Sequence, residues 1–524
     1  MQATRAQIAR RLIGAVALTL LAGGCASLPT DYPRTESRAL TDTGGAALGR
    51  LAARLAGADD GKTAYLPLPQ GLDAFLARSD LIDAAERSLD IQYYVIDQDL
   101  TGLRFAERLL AAADRGVRVR ILLDDIGTRG RDRGLLALDA HPNIELRLFN
   151  PFALRSTRLF DFIASGGRVN RRMHNKSFNA DNQVAIVGGR NIGDAYFQAR
   201  REDGFADFDL LLAGPAVREL GDAFDTYWNS EVVLPVAAVA GSPATADELA
   251  ASRAVLRAHA DAMRDSPYSG GGRKASLPAA LAAGSRTVFR GKAAIHFDLP
   301  RKVTDAMDNR VGHLGPQLRP IVEAARSEVL VANPYFVPRS DGVEFLASVR
   351  AQGARISVLT NALASTDVPA VHSGYQRYRE DLLRAGLELY ELRPRSMETA
   401  RLVQRDGPAP PDHLGLHAKF FAVDRRFLFV GSMNLDPRSG RINTEMGVLI
   451  DDPAGVTVLA QEFLRSLPAL GYRVALENLD GRERLVWTEK TADGERRHLS
   501  EPEASAWLRF QVLLFSLLPV EEQL

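Results

Sequence analysis

Two stretches of this 524-residue chain carry the same reactive residue types in the same order. The first is His174-Asn175-Lys176 with Asp181 beyond it, then Gly188-Gly189-Arg190-Asn191. The second is His417-Ala418-Lys419 with Asp424 beyond it, then Gly431-Ser432-Met433-Asn434. Every pair among them is separated by 243 residues. A single H-x-K-x4-D is weak, because three fixed letters among wildcards recur by chance. Two copies at one offset, each trailed by G-[G/S]-x-N, are a repeat. In extended backbone residues i and i+2 face the same way, so each His shares a face with its Lys. The lysine offers a point charge to an anionic tetrahedral group, while the imidazole attacks or donates a proton. Asn191, Asn434 and Ser432 are the further candidates for binding phosphate oxygens, and the small residues beside them permit close backbone approach. Two such half-sites facing each other make one pocket with two His, two Lys and two Asn. That pocket could hold a phosphodiester and stabilise its charge with no metal. A neutral imidazole would attack phosphorus, and a protonated one would donate to the leaving oxygen. His413 and His417 are four apart, a spacing that would suit a metal pair on a helix. Gly415 and the flanking strand pattern argue against a helix there, so neither metal nor cofactor is expected.

The elements that must position these residues also repeat. In the first half, residues 89–95, 117–123, 144–149 and 184–187 read as strands, and residues 105–113 as a helix stopped at Gly116. In the second half, strands are expected at 328–332, 356–360, 387–392 and 427–430, with a helix through 346–349 stopped at Gly353. Strands alternating with helices imply α/β layers. The expected fold is therefore two similar α/β domains, each a mixed sheet flanked by helices, related by a pseudo-twofold with the site at their interface. The expected boundaries are a signal peptide at 1–25, a tether at 26–64, a first domain at 65–235, a connector at 236–300 and a second domain at 301–524. The tether carries one Ala/Leu helical patch near residues 46–55, and the connector a helical pattern at 246–263 before a Ser-Gly-Gly-Gly break. An apolar run at 507–518 would form a helix about 18 Å long at ~1.5 Å per residue. That is too short to cross a bilayer and suits either packing or an interfacial membrane contact. Tyr93-Tyr94 and Tyr335-Phe336 end strands in matching places, as core or as pocket lining.

Lys+Arg and Asp+Glu both number 65, so no overall basic field points to nucleic acid. A local basic cluster does precede the first motif: Arg155, Arg158, Arg168, Arg171 and Arg172. The one cysteine, Cys25, follows a charged start, an apolar run and small residues. This resembles a bacterial lipobox, in which the cysteine becomes the acylated first residue. It implies a membrane-associated lipoprotein facing the periplasm, and Ala26 after the cysteine points to the outer rather than the inner membrane.

The duplicated motif resembles the signature of the phospholipase D superfamily. The flanks narrow the resemblance to the C-type bacterial cardiolipin synthases: Arg171-Arg172-Met173-His174, Asn191-Ile192-Gly193-Asp194-Ala195-Tyr196-Phe197, Leu359-Thr360-Asn361-Ala362, Asp436-Pro437-Arg438-Ser439 and the ending Leu518-Pro519-Val520-Glu521. By that resemblance His174 is the nucleophile, forming a phosphohistidine, and His417 is the acid/base. The carboxylates that orient the imidazoles would be Asp207 and Glu445, each eight residues before a proline, with Asp203 and Asp209 competing in the first copy. Asp181 and Asp424 belong to the catalytic signature and read as holding the loop. The implied reaction moves a phosphatidyl group from phosphatidylglycerol to a second phospholipid headgroup. A phospholipase D acting with water, a nuclease and an inert scaffold are the other readings. The partners expected are phospholipids and a membrane surface reached through the lipid anchor.

Overall fold

The computed structural model describes residues 28–524 apart from 30, 58–59, 156–157, 159–166, 272, 396–410, 492, 519–520 and 524. Cys25 and the expected signal peptide lie outside the described residues.

In the first half three strands run parallel: β2 (Ser88–Tyr93), β3 (Arg118–Asp124) and β4 (Ile144–Phe149). Every residue of β2 is buried, as expected of a strand covered on both faces. The helix between β2 and β3, α1 (Leu100–Asp114), is capped by Asp99, whose side chain accepts from Gly102 N. On the other edge the pairing turns antiparallel: β2 meets β5 (Ser177–Ala180), then β6 (Val184–Gly188), β8 (Asp209–Ala213) and β1 (Thr63–Leu68). β9 (Val233–Pro235) closes the far edge against β4. The second half repeats this layout. β11 (Glu328–Ala332), β12 (Arg355–Asn361) and β13 (Glu388–Leu392) run parallel. β15 (Phe420–Val423), β16 (Phe427–Gly431), β17 (Met446–Asp451) and β10 (Phe289–Phe297) follow antiparallel. Helices α2 (Pro215–Trp228) and α5 (Pro453–Leu470) occupy matching places after β8 and β17. Two short strands, β7 (Gly204–Ala206) and β14 (Leu414–Leu416), pair with each other across the halves.

The two-domain α/β expectation holds, and the boundaries differ. The two sheets are one hydrogen-bonded surface, because β1 pairs antiparallel with β10 (Thr63 with Gly291, Tyr65 with Phe289) and β10 continues into β17. The stretch expected as connector thus supplies an edge strand of the second half. Its helix α3 (Ala246–Ala262) lies on the first half, where Leu256 is buried and Arg253 pairs with Asp114. A single buried cluster joins Val187, Leu210 and Leu212 of the first half to Leu428, Val430 and Val448 of the second.

The expected tether is also docked over much of its length. Ser37 O accepts from Arg120 at 3.0 Å and from Asn229 at 3.0 Å, and Ala39 N donates to Asp225 at 2.8 Å. The helix Ala47–Ala56 buries Leu48, Leu51 and Ala52 in the first core, an i, i+3, i+4 stripe that cannot stay in water without loss.

Beyond the repeat, β13 extends through a ribbon of β18 (Gly471–Leu479), β19 (Arg482–Thr491) and β20 (Gly494–His498). The last helix, α6 (Ala506–Ser516), lies beside α4 (Pro369–Arg384). It buries Val512 and leaves Trp507 65%, Phe510 53% and Leu513 60% exposed.

A chain shortened to begin at residue 62 should lose about 3–6 kcal/mol, the burial of two leucines, and scanning calorimetry should register a lower melting midpoint. An unchanged midpoint would mean the segment is a tether after all.

Candidate active site

Each motif histidine lies three residues ahead of the strand that carries its half-site, β5 or β15. Between β5 and β6 the chain turns through Asp181, at φ 54°, and between β15 and β16 the second copy turns through Asp424, at φ 51°. These aspartates do not face the histidines. Asp181 accepts from the backbone N–H groups of Glu86, Arg87 and Ser88 at 2.8–3.0 Å. Asp424 does the same for Arg326, Ser327 and Glu328 at 2.8–2.9 Å. Each therefore fastens its turn to the start of the central parallel strand. Gly189 and Gly431 allow the close approach behind the site. A Cβ on Gly189 would lie 2.3 Å from Asp207 Oδ1, and one on Gly431 would lie 2.2 Å from Met446 O.

The decisive geometry crosses the seam. His174 N donates to Thr444 O at 2.9 Å, and Glu445, the next residue, accepts from His174 Nδ1 at 2.9 Å. In the other copy His417 N donates to Ala206 O at 2.8 Å, and Asp207, the next residue, accepts from His417 Nδ1 at 2.5 Å. Each imidazole thus takes its carboxylate from the opposite half. Donating from Nδ1 leaves the ring lone pair of a neutral imidazole on Nε2. The rivals of Asp207 are placed elsewhere: Asp209 is buried against Arg78 at 2.8 Å and Arg190 at 3.2 Å, and Asp203 pairs with Arg200 near the surface. Glu445 has more partners than Asp207. Ser432 Oγ donates to it at 2.5 Å and Ser439 Oγ at 2.7 Å, so the Ser432 hydroxyl is occupied by the carboxylate rather than turned to a ligand. Asp207 accepts one backbone bond besides, from Phe208 N at 2.7 Å.

Lys176 and Lys419 are both 1% exposed, and each Nζ donates to the carbonyl of its own motif histidine, at 2.7 and 2.6 Å. Asn191 and Asn434 are buried, and among the described residues neither Oδ1 has a hydrogen-bond partner. Aromatic rings wall the pocket. Tyr94 packs edge-on to His174 at 5.1 Å, while Tyr196 and Phe205 flank His417 at 5.2 and 5.1 Å. Of the two aromatic pairs left open above, Tyr94 lines the site, whereas Tyr93 is core and accepts from Arg78. Sequence reasoning passed over Phe205, whose signal was only its nearness to Asp207, and quoted Ser439 within Asp436-Pro437-Arg438-Ser439 without giving it a role. His413 Nε2 lies 2.7 Å from Ala364 O.

The basic cluster before the first motif is internal wiring and offers no cationic surface. Arg155 pairs with Asp125 and Asp132, and Arg158 with Asp125 at 3.4 Å. Arg168 and Arg171 donate to the Pro151 and Lys302 carbonyls, at 2.9 and 3.2 Å, and Arg172 is buried against Asp124 at 3.2 Å.

Burial sets the charge states. Desolvation, then the two lysines, hold both imidazoles well below the usual histidine value. Desolvation lowers Lys419 to about 8, against the pull of Asp207 and Glu445. Desolvation raises Glu445 to about 7, opposed first by Lys176 and then by the two serine hydroxyls. The unliganded site thus favours neutral imidazoles, and an incoming anion would favour protonating one of them.

The family model described as "Cardiolipin synthase, PLD-like domain" matches residues 79–228 and again 318–467. Cardiolipin synthase C of Escherichia coli (strain K12) is 40% identical over 473 residues, spanning 88% of this chain and 96% of that protein. A protein of Helicobacter pylori is 31% identical over 441 residues, 82% of this chain and 84% of its own. Among solved structures, phosphatidylserine synthase of Haemophilus influenzae aligns at TM-score 0.55 and 15% identity, over 91% of this chain and 100% of that one, a likeness of fold alone.

The titrations give a pH signature for any turnover at this site. Below about 7, Glu445 takes up a proton and no longer holds the His174 Nδ1–H as an anion; above about 8, Lys419 loses its charge. A plot of kcat/KM should therefore be a narrow bell between those limits, with the acid limb missing in Glu445→Gln. A flat profile from pH 5 to 9, or an acid limb unchanged in that variant, would refute the assignment.

Proposed function

The chain belongs to the phospholipase D-like cardiolipin synthase family, and from that premise we propose that it is a phosphatidyltransferase moving a phosphatidyl group from phosphatidylglycerol to a second phospholipid headgroup. The observation that carries this reading is the crossed pair of imidazole–carboxylate contacts beside two buried lysines.

His174 Nε2 attacks the phosphorus of phosphatidylglycerol, and the bond from phosphorus to the headgroup glycerol oxygen breaks. His417, charged by proton uptake as the anionic substrate binds, gives its proton to that oxygen, and glycerol leaves. The intermediate is a phosphatidyl group on His174, whose positive ring is stabilised by Glu445 through Nδ1–H. Neutral His417 then takes the proton of an acceptor headgroup hydroxyl, and that oxygen displaces His174 from phosphorus. Throughout, Lys176, Lys419 and the amides of Asn191 and Asn434 offset charge on the phosphoryl oxygens. The aromatic walls around both rings support transfer to a lipid over loss to water.

Purified protein with phosphatidylglycerol vesicles and no added metal should release glycerol and form cardiolipin. His174→Ala should lose the covalent intermediate, and His417→Ala should slow turnover by about 10²–10⁴-fold. Phosphatidic acid as sole product would make the protein a hydrolase, and activity surviving either substitution would end the two-histidine scheme.

We further place the protein at a membrane, as a lipoprotein acylated at Cys25 and facing the periplasm at the outer membrane. The exposed Trp507, Phe510 and Leu513 of α6 form a second apolar contact. Cell fractionation should then find Cys25→Ala less firmly held by membranes; identical fractionation with wild type would remove the anchor from the account.

A further inference from the structure

An apolar slot of about 210 Å³ opens between the halves. At its mouth stand Pro69 of the first half and Glu462 on α5, both exposed. Its inner wall is Leu416, Ala418 and Asp207, so it lies behind the His417–Asp207 contact. Glu462 stands exposed at the mouth, and the polar groups further in are satisfied within the protein: Ser466 Oγ donates to Phe463 O at 2.7 Å, and the Asp207 carboxylate holds His417 and Phe208 N. Nothing there calls for a polar ligand.

The repeat shows that this space is a departure from the shared plan. Within helices α2 and α5 the apolar positions that share one core correspond, Val217 with Val456 and Leu220 with Leu459, and the same register places Tyr227 with Ser466 and Phe224 with Phe463. At the motif offset, Phe149 aligns with Leu392 and Met173 with Leu416. In the first half Phe149, Met173, Phe224, Tyr227 and Trp228 form one closed cluster, each at most 2% exposed, and the Tyr227 hydroxyl donates to Asp298 O at 2.5 Å. In the second half Leu392, Leu416 and Ser466 stand in for Phe149, Met173 and Tyr227, and the volume they give up is open. Apolar voids of about 150 Å³ take up small hydrocarbons, and leaving one empty costs stability.

We propose that this slot binds the end of a linear alkyl chain, from a phospholipid acyl tail or a free fatty acid. The slot is longer in apolar wall than in polar contact, so it selects for chain and not for headgroup. The claim does not rest on phosphatidyl transfer, although the source of the chain is read through that activity.

Delipidated full-length protein is dialysed to equilibrium against radiolabelled decanoate. Wild type should bind in a saturable manner with one equivalent. Ser466→Tyr and Leu392→Phe, which install the first half's residues, should each weaken binding at least tenfold while the melting midpoint stays level or rises. Absence of saturable binding to wild type, or binding unchanged in the stably folded variants, overturns the proposal. The source follows from the ratio of kcat/KM for long- and short-chain phosphatidylglycerol. A ratio that collapses in the variants assigns the slot to the substrate's own tail. A ratio that stays put while decanoate binding is lost assigns it to a free fatty acid. Should no phosphatidyl transfer be detected, the dialysis still decides whether a chain binds.

Discussion

The structure depends on an exchange: each motif histidine is oriented by a carboxylate that belongs to the other half. Backbone pairing makes the exchange possible. The His174 and His417 N–H groups bond to the carbonyls of Thr444 and Ala206, and the next residue in each case is the acid. A folded half would present an imidazole without its carboxylate and a buried carboxylate without its N–H donor. Removing one partner of a buried charged set is far more costly than the set is worth as a whole. The motif is therefore stable as a pair and unfavourable as a single copy.

The two copies are alike in backbone and unlike in detail, and the differences fall where the chemistry needs them. Asp207 sits tightly behind Gly189, with no side chain between. Glu445 reaches further and is met by the hydroxyls of Ser432 and Ser439, which spread its charge. Two carboxylates in different settings, with Glu445 near neutrality, give two imidazoles that need not share one protonation behaviour. A dimer of identical halves could not set them apart.

Much of this was legible in the chain before any coordinates. Strands at 144–149 and 328–332 match β4 and β11, because they are long, buried and bounded by turn residues. The paired histidines, lysines and asparagines stood out because a constant offset exposes a repeat whatever lies between. What escaped were non-local relations. Nothing in residues 34–56 says that Ser37 meets Arg120, and nothing in 289–297 says that one strand serves both sheets. The arginine cluster stood out as a local basic group because its acidic partners, such as Asp124 and Asp125, lie tens of residues upstream. The crossing of the carboxylates is invisible for the same reason: composition near each histidine names an acid but not the half that supplies it.

The β1–β10 junction has a kinetic consequence. Enzymes with a cleft between two lobes commonly admit substrate by swinging the lobes apart on a hinge. Here the lobes are stitched by a β ladder and by the β7–β14 pair, so such a swing would tear hydrogen bonds on both sides of the cleft. The clamshell stroke is closed to this protein. A ligand would reach the seam past the side chains at its rim, with both ladders left intact.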